Sequence, residues 1–245
     1  MTSTLTPAWL HGRRILTGWT RTPAVLANAF VMPVLMLLIV LLIFGRAIET
    51  ISPDPPITRL VPLMVCSGVM FAALSTATAL VTERDDGLLD RFATLPNPPL
   101  APLLGRVGAE VVRSCLSAVL VLIVGTVLGF RAAPWAYLVI VALAALLALG
   151  IGCMTTWIGL RAKSPEAVIA LAPLMMLLMF FNSGFVPREG FPGPVQPLVR
   201  LNPLTAYTET MASSGSAVGH LVAAGVWAVL LTTVGTLLLA RARRF

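Results

Sequence analysis

The sequence predicts an all-α polytopic membrane protein. Its six transmembrane helices carry an N-terminal interfacial amphipathic helix, a short cytoplasmic helix between spans 2 and 3, and short outer helices between spans 5 and 6. Two observations fix the class. Apolar residues make up 58% of the chain and charged residues 11%, with a mean hydropathy of +0.93, far outside the composition of a soluble domain. Apolar runs near the bilayer-crossing length of roughly 20 residues recur along the chain, and hydrocarbon forces their backbone groups to pair internally as helices.

The runs extend over Ala24 to Phe44, Leu60 to Val81, Ser114 to Phe130, Trp135 to Leu160, Ala167 to Val186 and Leu221 to Ala240, and none contains Asp, Glu, Lys, Arg or His. The chain reads as one transmembrane domain over 1–245: a leader over 1–23, a six-span bundle over 24–240 and a tail over 241–245. The first run is too long for a signal-peptide core and no small-residue cleavage pattern follows Phe44, so it is expected to stay. Arg13, Arg14, Arg21, Arg84, Arg91, Arg106, Arg113, Arg161, Lys163 and the arginines after Ala240 crowd one set of connections, while the other set holds Arg46, Arg59, Arg131, Arg188 and Arg200. The positive-inside rule then places both termini in the cytoplasm of a bacterial inner (cell) membrane.

In the leader, Thr6-Pro7 resembles a helix start. Ala8, Trp9, Ile15, Leu16 and Trp19 share one side of the wheel, with Arg13, Arg14, Thr17, Thr20 and Arg21 opposite, the pattern of an interfacial helix. Between spans 2 and 3, Leu88, Leu89, Phe92 and Leu95 recur on one side and Asp86, Asp90, Arg91 and Thr94 on the other, ending at Pro96-Asn97-Pro98-Pro99. So short a helix does not bury its apolar side alone, and it is expected to dock on a partner or the bilayer. The Pro- and Gly-rich connection over 187–220 accommodates two short outer helices, near Val195 to Leu201 and Leu204 to Ala212.

Several chemistries find no support. The net charge of +7 comes from scattered arginines rather than one basic surface, which argues against nucleic acid. Lys163 is the only lysine, and Gly159-Leu160-Arg161-Ala162-Lys163-Ser164 lacks the glycine that a phosphate-binding loop places before it. The chain is therefore read as having no ATPase site and no bound cofactor or metal. Cys66, Cys115 and Cys153 fall in separate spans, His11 and His220 are solitary, and no carboxylate pair or nucleophile triad is present. Glu110 and Arg113, three residues apart at the start of span 3, read as a structural pair that snorkels to the interface. In span 2, Ser67, Phe71, Ser75, Thr78 and Thr82 fall near one face, either a packing face or the lining of a substrate path. Gly125 and Gly129 form a small-x-x-x-small packing pair.

The stretch Glu83-Arg84-Asp85-Asp86-Gly87-Leu88-Leu89-Asp90-Arg91-Phe92-Ala93-Thr94-Leu95-Pro96 resembles the Glu-Arg-x-x-Gly-(eight residues)-Pro element of type-2 ABC exporter permeases. Asn182-Ser183-Gly184-Phe185-Val186-Pro187, followed by Leu201-Asn202-Pro203-Leu204-Thr205, resembles an outer-loop element of the daunorubicin-resistance branch. The similarity extends over nearly the whole chain. It implies a permease that pairs with a second permease copy, identical or a paralogue, and binds two copies of a separate ABC ATPase holding ATP and Mg. The Gly87 to Leu95 helix would be the coupling helix, with Glu83 and Arg84 fixing its entry. The short Lys163-Ser164-Pro165 connection departs from the family by leaving little room for a second ATPase contact. Family members export drugs, lipids or glycans, and the apolar spans do not say which. A non-energised membrane scaffold and a secondary carrier stay open beside the exporter.

Overall fold

The computed structural model describes residues 5–21, 27–51, 55–93, 101–213 and 218–241. Every regular element among them is helical. In chain order they are α1 (Leu5–Thr20), a π-helical turn (Ala27–Val31) leading into α2 (Met32–Ile51), α3 (Pro56–Asp85), α4 (Leu88–Ala93), α5 (Ala101–Val127), α6 (Pro134–Arg161), α7 (Pro165–Ile169), α8 (Ala172–Phe180), α9 (Gln196–Leu201), α10 (Pro203–Ala212) and α11 (Val218–Arg241). Five helices, beginning at Ala29, Pro56, Ala101, Pro134 and Val218, are long and apolar enough to cross a membrane. The protein is a multi-pass membrane protein.

The stretch expected as the fifth span is built differently. Residues Pro165–Phe180 form a shorter apolar helix, broken between α7 and α8, and the chain leaves helical geometry at Phe181. Pro173 explains the break, because it has no N–H for the Ile169 carbonyl and its ring crowds the preceding turn. Leu171 N–H tightens onto Val168 O instead. Sixteen residues reach about 24 Å, short of the roughly 30 Å of hydrocarbon.

α3 is the central post, buried along most of its length and touching α2, α5, α6, α7, α8 and α10. Leu60, Val61, Leu63, Met64, Cys66 and Val69 are essentially inaccessible and join Leu37, Val121, Leu147 and Tyr207 in the main core. α11 packs along α6, with Gly150 under Leu231 and Gly235 against Cys153. Of the expected small-residue pair only Gly125 packs, lying under Val61 of α3, while Gly129 falls just past the end of α5 with φ +106 and nothing within 4 Å of an added Cβ.

α1 crosses α5 at close range. An added Cβ on Gly105 would fall 2.5 Å from Ala8 O and 2.8 Å from Gly12 N. The buried face of α1 is Ala8, Gly12 and Ile15. Ala8 and Ile15 of the expected apolar arc are thus buried against the bundle, while Trp9 on the same arc is 63% exposed.

Candidate functional site

Two regions carry the residues singled out by sequence, and α3 connects them. The first is a cavity of about 500 Å³ between the start of α2, the middle of α3 and α7–α8. Ser67, Phe71, Ser75 and Thr78 all line it, so the hydroxyl-bearing face of α3 forms one wall of a cavity. Met32, Met36, Met176 and Met179 line it from α2 and α8, and thioether side chains repack around ligands of different shape. The α3 hydroxyls are committed to their own helix: Ser67 donates to Met64 O at 3.0 Å, Ser75 to Phe71 O at 3.1 Å and Thr78 to Ser75 O at 2.8 Å. They present a weakly polar wall rather than free donors.

The second region is the end of α3. The helix continues through Asp85, so Glu83 and Arg84 sit in its last turn rather than in a loop. Glu83 is bound by Arg106 of α5 and lies 3.9 Å from Arg14 of α1. Arg84 donates through Nη1 to Leu160 O at 3.1 Å and Ala162 O at 2.8 Å, where the carbonyl end of α6 favours a cation. Its Nε and Nη2 reach Asp85. Two adjacent residues thus fasten the end of α3 to α1, α5 and α6.

Gly87 then reverses the chain with φ +71, a conformation that a Cβ makes costly. Its N–H donates to Arg84 O at 2.9 Å. α4 follows with Leu88 and Leu89 half-buried and Asp90 and Arg91 exposed. Phe92 meets the His11 ring edge-on at 4.9 Å, and the Arg14 guanidinium lies 4.9 Å from the centre of its ring. The apolar side of α4 is therefore covered in part by the chain's own first helix, a contact not foreseen where a partner or the bilayer was expected to take it. Burial, helped by the Arg14 charge, lowers the His11 pKa below its ordinary 6.5. Leu95 and Pro96 lie outside the described residues.

At the opposite end of α3, the outer-loop residues prove to be structural ties. Asn202 caps α10, accepting from Leu204 N at 2.9 Å, while its Nδ2 donates to Leu178 O and Phe181 O, each at 2.6 Å. Asn182, fully buried, accepts from Gly184 N at 2.6 Å and donates to Thr208 Oγ1 at 3.3 Å. Pro187 precedes a 3₁₀ turn over Arg188–Gly190, and Pro203 opens α10. These four residues shape the corner after α8; Asn182, Pro187, Asn202 and Pro203 do not gather around one space.

A family model described as ABC-2 type transporter matches residues 8–214, a range that contains the cavity, the α3 end and the corner. The chain belongs to this family. It is 27% identical over 228 residues to the "Probable doxorubicin resistance ABC transporter permease protein DrrC" of Mycobacterium tuberculosis, covering 92% of this chain and 82% of that one. It is 29% identical over 210 residues to the daunorubicin resistance ABC transporter permease DrrB1 of Streptomyces coeruleorubidus, covering 84% and 72%. A shorter similarity, 34% over 114 residues, relates it to the doxorubicin resistance permease DrrB of Mycobacterium tuberculosis, covering 45% and 39%.

In this ABC-2 permease the sequence reading missed a buried ionic network. α5 begins at Ala101, well before the expected span, so Arg106, Glu110 and Arg113 enter the packed bundle and are at most 4% exposed. Glu110 and Arg113 do pair, at 2.6 Å, but they do not snorkel. Thr76 of α3 donates to Glu110 at 2.5 Å and lies 2.9 Å from Arg113 Nη2, which also donates to Ala72 O. Trp19 of α1 covers the guanidinium, with its ring centre 4.5 Å from Cζ. The spacing Arg106, Glu110, Arg113, Ser117 follows one helix face and was the available signal. A second, polar cavity of about 480 Å³ near the α10 end was also missed; Arg188, Glu209 and His220 line it.

Proposed function

We propose that this permease moves a hydrophobic or amphipathic, drug-like or lipid-like molecule out of the cytoplasm or inner leaflet, driven by ATP that a separate ABC ATPase subunit hydrolyses. The observation that carries the reading is that one rigid helix, α3, both walls the apolar cavity and ends in the turn that launches α4. A displacement of α4 is then passed through the short Asp86–Gly87 turn to α3 and along that helix to the cavity wall. The relatives named for doxorubicin and daunorubicin resistance support the cargo class.

In this reading α4 is the coupling helix, with Leu88, Leu89 and the exposed Asp90–Arg91 edge meeting the ATPase, and Leu95 and Pro96 completing the element. Glu83 and Arg84 convert its motion into a tilt of α3 relative to α1, α5 and α6. Gly87 sets the angle between α3 and α4. The chain supplies no ATPase site; ATP and Mg belong to two ATPase copies, and a second permease copy, identical or paralogous, completes the translocation path. Both termini and α4 lie on the cytoplasmic side of the bacterial inner membrane. ATP-dependent states of the partner bias a bistable bundle, as in any two-state switch.

The test is co-purification of the permease with its ATPase, followed by drug- and lipid-stimulated hydrolysis in proteoliposomes. Leu88→Asp is expected to abolish association and stimulation, and Ser75→Phe, which fills the cavity, to abolish stimulation while leaving association intact. Unchanged association in Leu88→Asp would remove α4 from the coupling role. Proton-driven uptake by the permease alone would favour a secondary carrier instead.

A further inference from the structure

We propose that the exposed stripe of α1 is a docking surface for anionic phospholipids of the membrane, with Arg13 and Arg21 binding their phosphates and Trp9 lying among their chains. The inference goes beyond the transport reading, since it concerns the bilayer and not the cargo.

Trp9, Arg13, Thr17 and Arg21 recur every fourth residue, so they follow one another along a single face, from the helix into the turn that ends it. All four are exposed, Trp9 to 63%, and the exposed Leu10 borders them. A ring and an aliphatic side chain beside two guanidinium groups suit the boundary of a bilayer, where acyl chains take the apolar groups and phosphates take the cations.

The rest of the circumference of α1 is already occupied. Ala8, Gly12 and Ile15 face the bundle, with Gly12 close against the backbone of Gly105. His11 and Arg14 meet the Phe92 ring of α4. His11 is two positions from Trp9 and two from Arg13, a rotation of about 200° at 3.6 residues per turn. The stripe therefore points away from α4 and from an ATPase seated there, and it is left to the membrane surface.

Charge selects the lipid class. No Asp or Glu precedes Glu49 in the chain. The carboxylate that does reach α1, Glu83, is bound by Arg106 and lies 3.9 Å from Arg14. Among the described residues Arg13 and Arg21 have no carboxylate partner. They lie eight positions apart, about 12 Å along the axis, so each takes its own phosphate. A choline headgroup brings a fixed cation with its phosphate, whereas a glycerol headgroup leaves the negative charge uncompensated. A lipid held here braces α1 where it crosses α5 and covers Phe92.

The test is native mass spectrometry of the purified full chain released from neutral maltoside micelles. It is titrated separately with dioleoyl phosphatidylglycerol and dioleoyl phosphatidylcholine, which differ only in the headgroup. The glycerol lipid is expected to bind about tenfold more tightly. Arg13→Gln combined with Arg21→Gln is expected to bring the two lipids to equal affinity. Arg131→Gln combined with Arg200→Gln removes the same charge from exposed sites elsewhere and is expected to keep the preference. Equal affinities in the wild type, or a preference that survives in the α1 pair, would overturn the proposal. Equal loss in both pairs would also overturn it, by showing attraction to net charge alone. The spectra separate monomer, dimer and the complex with the ATPase, and a preference lost in either assembly would give the stripe to that partner instead of lipid. Thermal unfolding in micelles checks that each variant is folded, and the wild-type comparison decides the case even if one is not.

Discussion

Gly105 and Gly108 sit three residues apart in α5 and should respond oppositely to the same change. Both are helical, so replacing either by Ala removes a backbone-entropy penalty of about 0.5–1 kcal/mol. At Gly108 nothing lies within 4 Å of an added Cβ, and Gly108→Ala is expected to stabilise by that amount. At Gly105 the methyl would meet Ala8 O at 2.5 Å and Gly12 N and His11 Cβ at 2.8 Å. These are mostly backbone atoms that do not rotate away, so α1 must retreat by roughly 1 Å to restore ordinary contact. Overpacking of this kind costs about 1–3 kcal/mol, and the retreat also strains the Arg14–Glu83 and Trp19–Arg113 contacts. Because the entropy gain is common to both, the two alanine variants should differ by the packing cost, about 1–3 kcal/mol. Thermal unfolding of the purified chain in maltoside, followed by tryptophan fluorescence, measures the difference. Equal stabilities would mean that α1 does not cross α5 at this contact and would undo the account of how α1 is held.

Three further outcomes are expected. Asn202→Asp should be more destabilising than Asn202→Ala in the same assay, because aspartate keeps the cap on Leu204 N yet sets a carboxylate against the Leu178 and Phe181 carbonyls; Asn202→Ala alone should cost about 2–3 kcal/mol. Arg84→Ala should leave ATPase association intact but lower transport per ATP about tenfold, since the bonds to Leu160 O and Ala162 O that hold α3 to α6 are lost; measured transport-to-hydrolysis ratios check it. For His11, folding lowers the pKa from 6.5, so the unfolded chain binds the proton more readily. Its contribution is present above about pH 6.5 and falls away as the pH drops below it. A pH series of melting temperatures should show this decline in the wild type and a flatter profile in His11→Gln.

The helical class and most long elements were legible because hydrocarbon leaves a chain few options: an apolar run of sufficient length has to close its own hydrogen bonds. The short helix after Gly87 was legible because its amphipathic period and the flanking Gly and Pro carry their own local geometry, whereas the continuation of α3 through Glu83 and Arg84 was not. The stretch after Ala167 misled for a local reason that was also written in the sequence: Pro173 interrupts it, yet composition alone weighs one proline lightly against the fourteen apolar residues around it from Ala167 to Phe181. Glu110 and Arg113 misled for a different reason. Their charge argued for an interface, and nothing in the order of residues announced that Thr76, Ala72 and Trp19 would meet them inside the bundle.

Determined by the sequence alone were the helical class, the apolar cores of most long helices, a short amphipathic helix after Gly87 and the face of α3 that carries Ser67, Phe71, Ser75 and Thr78, since each depends on neighbours within a few turns. Only the tertiary structure decided that this face lines a cavity, that α4 leans on α1 and that three charges are buried in α5. Those outcomes depend on contacts between residues tens of positions apart, where burial and Coulomb forces act on distances that no periodicity records.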